Sequence, residues 1–222
     1  MPPLGTIHTN PNNPRVSKIQ AAANLNNLIL TFAPFELGKT NHTPEFLSKF
    51  PLGKIPAFTS ADGSVNIVES DAIAQYVAAS GPAAEQLLGS NPIQRAQIRQ
   101  WISFSANEME ASLIPLVLWR IGLAGFDSAK EETAFKGLER ALGCLEKSLE
   151  GKEWLVDGEE VSLGDLSVAS ALVPGFLVVI DEEMRGRFPG VVGWYERVIG
   201  LEGVREAFGE KVFVEKRQGP PA

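Results

Sequence analysis

Cysteine is almost missing from this 222-residue chain, with Cys144 standing alone. A single thiol makes no intramolecular disulfide and no CxxC metal knuckle. Histidine is nearly as scarce, and His8 and His42 cannot build a His-rich metal site. Basic residues number 20 against 27 acidic ones, a formal charge of −7. That balance lacks the clustered basic patch a nucleic-acid surface requires. Long apolar runs are missing too. The most apolar stretch, residues 169–180, is shorter than the ~20 residues of a membrane helix and contains Pro174, read as an interruption. The first ten residues, MPPLGTIHTN, have neither the charged head nor the apolar core of a signal peptide. What remains is an ordinary globular composition, 44% hydrophobic and 21% charged. The expectation is a soluble, cytoplasmic protein with no metal, no nucleic-acid partner and no membrane association.

The chain changes texture near residue 81. Before it, short elements alternate: a strand at Leu4–Thr9, a helix from about Pro14 to Leu25 opened by proline, a strand at Leu28–Phe32, and a short helix at Thr43–Phe50 with Thr43 as cap. Strands around Ala57–Thr59 and Val65–Val68 flank a hairpin signal, Ala61-Asp-Gly-Ser64, and a helix from Ser70 to about Ala79 follows. This β-α-β, then β-β-α order describes a small α/β domain with a mixed sheet, residues 1–80. Residues 81–91 read as a linker. Beyond them the periodicity is helical: a helix from Pro92 toward Trp119 with a kink or break at Pro115, another over Ser128–Leu149, and a third opened by Ser162-Leu-Gly-Asp165, a capping-box pattern preceded by Val161. Shorter helices are expected near Val191–Val198 and Gly203–Phe208. The fold class is therefore α/β plus all-α, with a helical domain over 92–215 and a disordered tail over 216–222.

Two stretches carry chemistry. In GKIPAF, residues 53–58, Pro56 sits where a central strand needs an N–H, which suits an edge, a bend or a cis bond. A bend at Ile55-Pro56 turns backbone polar groups outward, where a peptide-like ligand can pair with them. In NIVESDAIAQYV, residues 66–77, Ser70 reads as a helix N-cap, and the helix entrance offers free N–H groups to a carboxylate. Glu69 beside it supplies a partner for an ammonium. A carboxylate and an ammonium on one carbon, the end of an amino acid, match that pair.

The run TPEFLSKFPLGKIPAF, residues 43–58, followed by VESDAIAQY, resembles the glutathione-binding domain of cytosolic glutathione transferases. The likeness is strongest to the transferase-like domain of translation elongation factor 1 gamma. QWISFSANEME, VSLGDLSVASAL and FPGVVGWYERV look like the same family's helical signatures, so the resemblance spans about residues 4–215. It implies a thioredoxin-like domain followed by a helical one, glutathione as co-substrate or cofactor, and a homodimer. By the same resemblance Pro56 is the cis-proline and Ile55 pairs through its backbone with the cysteinyl unit. Glu69 and Ser70 hold the γ-glutamyl end, while Lys54 and His42 approach the glycine carboxylate.

One departure matters. The family usually places Tyr, Ser or Cys after the first strand to stabilise the glutathione thiolate. Here the segment reads His8-Thr-Asn10-Pro-Asn12-Asn13-Pro-Arg15, with none of the three. A free thiol has pKa ~8.5, and lowering it by two units needs about 2.7 kcal/mol of preference for the thiolate. One or two hydrogen bonds to a charged group, at roughly 1.5–3 kcal/mol each, suffice. Asn10, Asn12, Asn13 and Arg15 are the candidate donors, although asparagine-rich loops before helices are also common caps. The second substrate, a small hydrophobic electrophile, is expected against the helix carrying Phe104, Asn107 and Glu108, with Trp119 on the far side. Three functions follow: a glutathione transferase, a glutathione-dependent cis-trans isomerase acting through the same thiolate, or a non-catalytic assembly domain like that of elongation factor 1 gamma. The last is disfavoured by the missing further C-terminal domain and favoured by the missing hydroxyl.

Overall fold

The computed structural model describes residues 2–221. Four short strands form one mixed sheet: β1 (Gly5–His8), β2 (Leu30–Phe32), β3 (Ala57–Ser60) and β4 (Asn66–Val68), in the order β2-β1-β3-β4. β1 runs parallel to β2 and antiparallel to β3, and β3 pairs antiparallel with β4. Side chains alternate along β1, with Ile7 fully buried. Gly5 is required there by close approach: a Cβ at that position would lie 2.3 Å from the Phe58 ring. The β3–β4 turn is held by Asp62, whose carboxylate accepts from Ser60 Oγ, Ser64 N and Ser64 Oγ.

α1 (Pro14–Leu25) and α3 (Ser70–Ala79) pack together on one face of this sheet. α2 (Pro44–Lys49) lies with a separate aromatic cluster of Phe35, Phe46 and Phe50, against which the His8 ring packs edge-on to Phe46 and tilted to Phe50. Thr43 caps α2 through Phe46 N, as its sequence predicts. The stretch expected to be a linker is not extended chain. It folds as α4 (Ala84–Leu88) with Leu87 fully buried, because the apolar Leu87 has a core to enter.

The helical half begins with α5 (Pro92–Phe104), which widens into a π-helical stretch over Ser105–Glu110 and continues as α6 (Ala111–Arg120). Pro115 lies inside α6 and Pro174 inside α8 (Leu163–Val178); neither proline ends its helix. Between them runs α7 (Ser128–Ser148), and α9 (Glu182–Arg187), α10 (Pro189–Gly200) and α11 (Arg205–Phe208) complete the chain. α9 opens on Asp181, whose side chain accepts from Met184 N. α8 is buried nearly all round, so its amphipathicity is weak, and at its start Ser162 and Asp165 form a reciprocal capping box.

The two halves meet along α1 and α8, where Ser170 Oγ donates to Pro14 O at 2.7 Å. Asn24 Nδ2 adds a bond to Gly203 O at 2.6 Å. The tail expected to be disordered from residue 216 is tied down instead as far as Gln218. Arg217 pairs with Asp181 at 2.7 Å, and Arg120 Nε donates to Gln218 O. Among the described residues, no helix is long and apolar enough to cross a membrane, and no group of three or more His, Cys, Asp or Glu is arranged to hold a metal.

Candidate functional site

A cleft of about 530 Å³ opens where the thioredoxin-like half faces the π-helical stretch. One wall is the segment Phe50–Pro56, with a cis Ile55–Pro56 bond. The floor is the entrance of α3, and the opposite side carries Arg15, Ala106 and Glu110. Lys54, Ile55, Pro56, Glu69 and Ser70 are thus brought to one cleft, together with Asp71.

The α3 entrance differs from the one expected. Ser70 is the first helical residue, not the cap; Glu69 occupies the cap position and makes no side-chain bond to the free N–H groups. Glu69 also holds φ 67° and ψ 117°, outside the region that side chains other than glycine favour. A strained backbone at Glu69 and an uncapped helix start leave orphan donors and a partial positive charge at the cleft. Lys54 and Glu69 have no ion-pair partner among the described residues, so the cleft presents one free cation and one free anion. Asp71, by contrast, is engaged by Lys18, a lysine only 1% exposed that reaches across from α1.

Arg15 stands in the second position of α1, and its Nε and Nη2 donate to Glu110 Oε2 at 2.9 and 2.6 Å. The other three candidates separate. Asn13 is occupied as the α1 cap, its Oδ1 accepting from Arg15 N and its Nδ2 donating to Thr9 Oγ1. Asn10 folds back to donate to Pro11 O at 3.3 Å. Asn12 is exposed with φ 59° and has no side-chain bond among the described residues. His42 is exposed on the turn before α2 and does not line the cleft. His8 does not line the cleft either. Burial first, and then the Lys49 charge, hold its pKa below the usual value, and its Nε2 lies 3.1 Å from Thr59 Oγ1.

A second pocket, of about 320 Å³, adjoins the cleft and shares Arg15 and Glu110 with it. Its lining is aliphatic: Leu113, Ile114, Val117, Leu118 and Ile121 from α6 and just beyond, and Val173, Pro174 and Leu177 from α8. None of the four residues expected in the substrate pocket lines it. Phe104 packs edge-on against Trp101. Asn107 is exposed, and Glu108 pairs with Arg140 of α7. Trp119 points at α7 and donates to Glu131 Oε2 at 2.7 Å. The wide turn over Ser105–Glu110 accounts for the difference. It changes the helix phase, so the face carried forward from Phe104 turns toward α7 and Glu110 arrives at the cleft instead. One signal was present in the sequence: ASLIPLVLW is apolar on more than its core-facing side, and Ile114 stays 37% exposed.

These features sit within a recognised lineage. The sequence model for the glutathione S-transferase N-terminal domain matches residues 4–79, and that for the glutathione S-transferase C-terminal domain matches residues 104–202. A "Glutathione S-transferase-like protein" of Aspergillus aculeatus is 55% identical over 209 residues, covering 93% of this chain and 97% of that protein. Elongation factor 1-gamma-A of Xenopus laevis is 34% identical over 216 residues; this covers 96% of the chain but only 48% of that factor. The crystal structure of the transferase-like domain of elongation factor 1-gamma from Saccharomyces cerevisiae superposes with a TM-score of 0.84 at 23% identity, covering 99% of each chain. With its sheet order, its helical half and both domain models in agreement, the chain belongs to the glutathione S-transferase family.

Proposed function

We propose that this protein is a glutathione-dependent enzyme that presents the glutathione thiolate to a small apolar electrophile. The observation that carries the proposal is the pair of opposite charges without ion-pair partners among the described residues, Glu69 and Lys54, in one cleft with the uncapped entrance of α3. Glutathione has the complementary pattern: an ammonium and carboxylate at its γ-glutamyl end, a peptide middle, and a carboxylate at its glycine end. Glu69 takes the ammonium, the α3 entrance at Ser70 the neighbouring carboxylate, Ile55 the peptide backbone, and Lys54 the glycine carboxylate.

The thiolate then falls to Arg15, the one charged donor shared by the cleft and the aliphatic pocket. Its two bonds to Glu110 leave further N–H groups to donate, and Asn12 borders the pocket with its amide free. Neither residue accepts the thiol proton, so it leaves to water. Conjugation and thiolate-assisted isomerisation use the same arrangement, and product analysis separates them. The reading includes a homodimer, which sedimentation tests.

Calorimetric titration with glutathione is the first experiment. Wild type binds, and Glu69→Gln and Lys54→Gln each weaken binding by about tenfold, the worth of one charge-assisted contact. A folded wild-type protein that fails to bind at millimolar glutathione sinks the proposal. It would leave an assembly role, the reading favoured by the likeness to elongation factor 1-gamma together with the loop lacking Tyr, Ser and Cys.

A further inference from the structure

The aliphatic pocket does not end at its own walls. A third cavity, a groove of about 1000 Å³, runs along the open side of α1 and shares Asn12, Pro14, Val173 and Leu177 with the pocket. Cleft, pocket and groove are therefore consecutive, joined first at Arg15 and Glu110 and then at Asn12 and Leu177. The groove is also the larger space, about three times the pocket's volume.

Its walls differ in chemistry. One is the amide and hydroxyl face of the β1–α1 loop and α1, with Asn10, Ser17, Gln20 and Asn24; the other is apolar, with Phe32, Pro34 and Phe35 following the edge strand β2. Among the described residues, Glu206 is the only ionisable one in the lining. Phe32 is 51% exposed and Leu177 48%, and both line this one groove. At the neck, Asn12 holds a left-handed backbone with a free amide.

We infer that the second substrate is an extended, uncharged chain molecule rather than a compact one. Its aliphatic stretch beside the electrophilic centre fills the pocket, and its neutral polar remainder lies in the groove between the α1 amides and Phe32. A charged far end gains nothing there: the described lining offers no cation to an anion, and Glu206, exposed and already paired with Arg205 at 3.3 Å, offers little to a cation. A compact aromatic electrophile would fill the pocket alone and leave the groove and its exposed Phe32 unused. This inference rests on the glutathione reading, since it takes the thiol position from it.

S-alkyl glutathiones of increasing length test it by binding alone. Calorimetry with the S-methyl, S-hexyl and S-dodecyl compounds should show affinity still climbing by at least about tenfold between hexyl and dodecyl, since buried methylenes continue to contribute. Phe32→Ala, at an exposed edge position, and Ser17→Trp, which plugs the groove, should each remove most of that last gain and spare the S-methyl compound. Should Ser17→Trp fail to fold, Phe32→Ala decides. Hexyl and dodecyl affinities within about twofold in wild type, or variants that lose all lengths equally, overturn the inference and leave the glutathione site standing. Failure to bind the S-methyl compound overturns both.

Discussion

Two helices of this chain begin with similar sequence and end in opposite states. α3 starts in Val68-Glu-Ser-Asp71 and α8 in Val161-Ser-Leu-Gly-Asp165. At α8 the acid is fully buried and answers every donor near it. Asp165 accepts from Leu155 N, Ser162 N, Ser162 Oγ and Trp194 Nε1, at 2.7–3.0 Å. At α3 the acid in the cap position is exposed, strained and unpaired, and the first N–H groups have no side-chain partner. One entrance is closed on itself and serves the fold; the other is left open, and in the proposed function it takes a ligand. Satisfied donors at a helix start indicate stability, and orphan donors indicate a binding site only when a strained residue and unpaired charges accompany them.

The largest effect belongs to the closed entrance. Asp165→Ala strands several buried donors, at ~1–3 kcal/mol each, so urea unfolding should show a loss of about 4 kcal/mol or more. Against the ~5–15 kcal/mol that holds a typical domain, that is severe. A loss below about 1 kcal/mol would mean that water or relaxation replaces those bonds, and the contrast between the two helices would collapse.

Next comes the thiol, read by titrating the absorbance of bound glutathione thiolate against pH. Thiolate is stabilised by positive charge, so Arg15→Gln should raise the apparent thiol pKa by about one unit. Glu110 partly neutralises Arg15 through their ion pair, so Glu110→Gln should move the pKa down. Opposite signs from the two variants would place the thiol beside this pair. A thiol indifferent to both would transfer the role to Asn12.

Glu69→Gly turns the comparison into a trade. Glycine adopts φ 67° without the Cβ conflict, so relief of strain offsets the entropy glycine adds to the unfolded chain. Stability should hold or rise by up to about 1 kcal/mol while glutathione affinity falls about tenfold. A variant destabilised by more than about 1 kcal/mol would show that the Glu69 side chain serves the fold, as Asp165 does.

How much of this was legible in the sequence follows from the range of the interactions involved. Local signals worked: Thr43 and Ser162 cap as their spacing predicts, Pro14 opens α1, and the Asp62-Gly63 turn joins β3 to β4. Lys54, Ile55, Pro56, Glu69 and Ser70 could be named because they lie in two short runs whose geometry is set locally, whereas Glu110 reaches the cleft through the helix phase after Ser105, and His42, also named, stays outside it. The aliphatic pocket could not be placed, because its position depends on the helix phase after Ser105–Glu110, and no residue there announces a π-helical turn. Asn13 looked like either a donor or a cap, and only the bond to Arg15 N decided between them. Lys18 gave no signal, since a lysine on α1 reads as solvated until Asp71 is brought across to it.

The smallest expected effect on stability is the most discriminating. Had Ser70 capped α3, Ser70→Ala would cost about 1 kcal/mol and confound any loss of binding. Its hydroxyl makes no bond among the described residues and it stands inside the helix, where alanine is the better former. Ser70→Ala should therefore leave the unfolding free energy within about 0.5 kcal/mol of wild type. If its hydroxyl meets the γ-glutamyl carboxylate, glutathione affinity still falls about tenfold. Lost affinity with unchanged stability identifies a donor held in reserve for a ligand. Stability and affinity falling together would mean that Ser70 caps α3 after all, and that the two helix entrances are built alike.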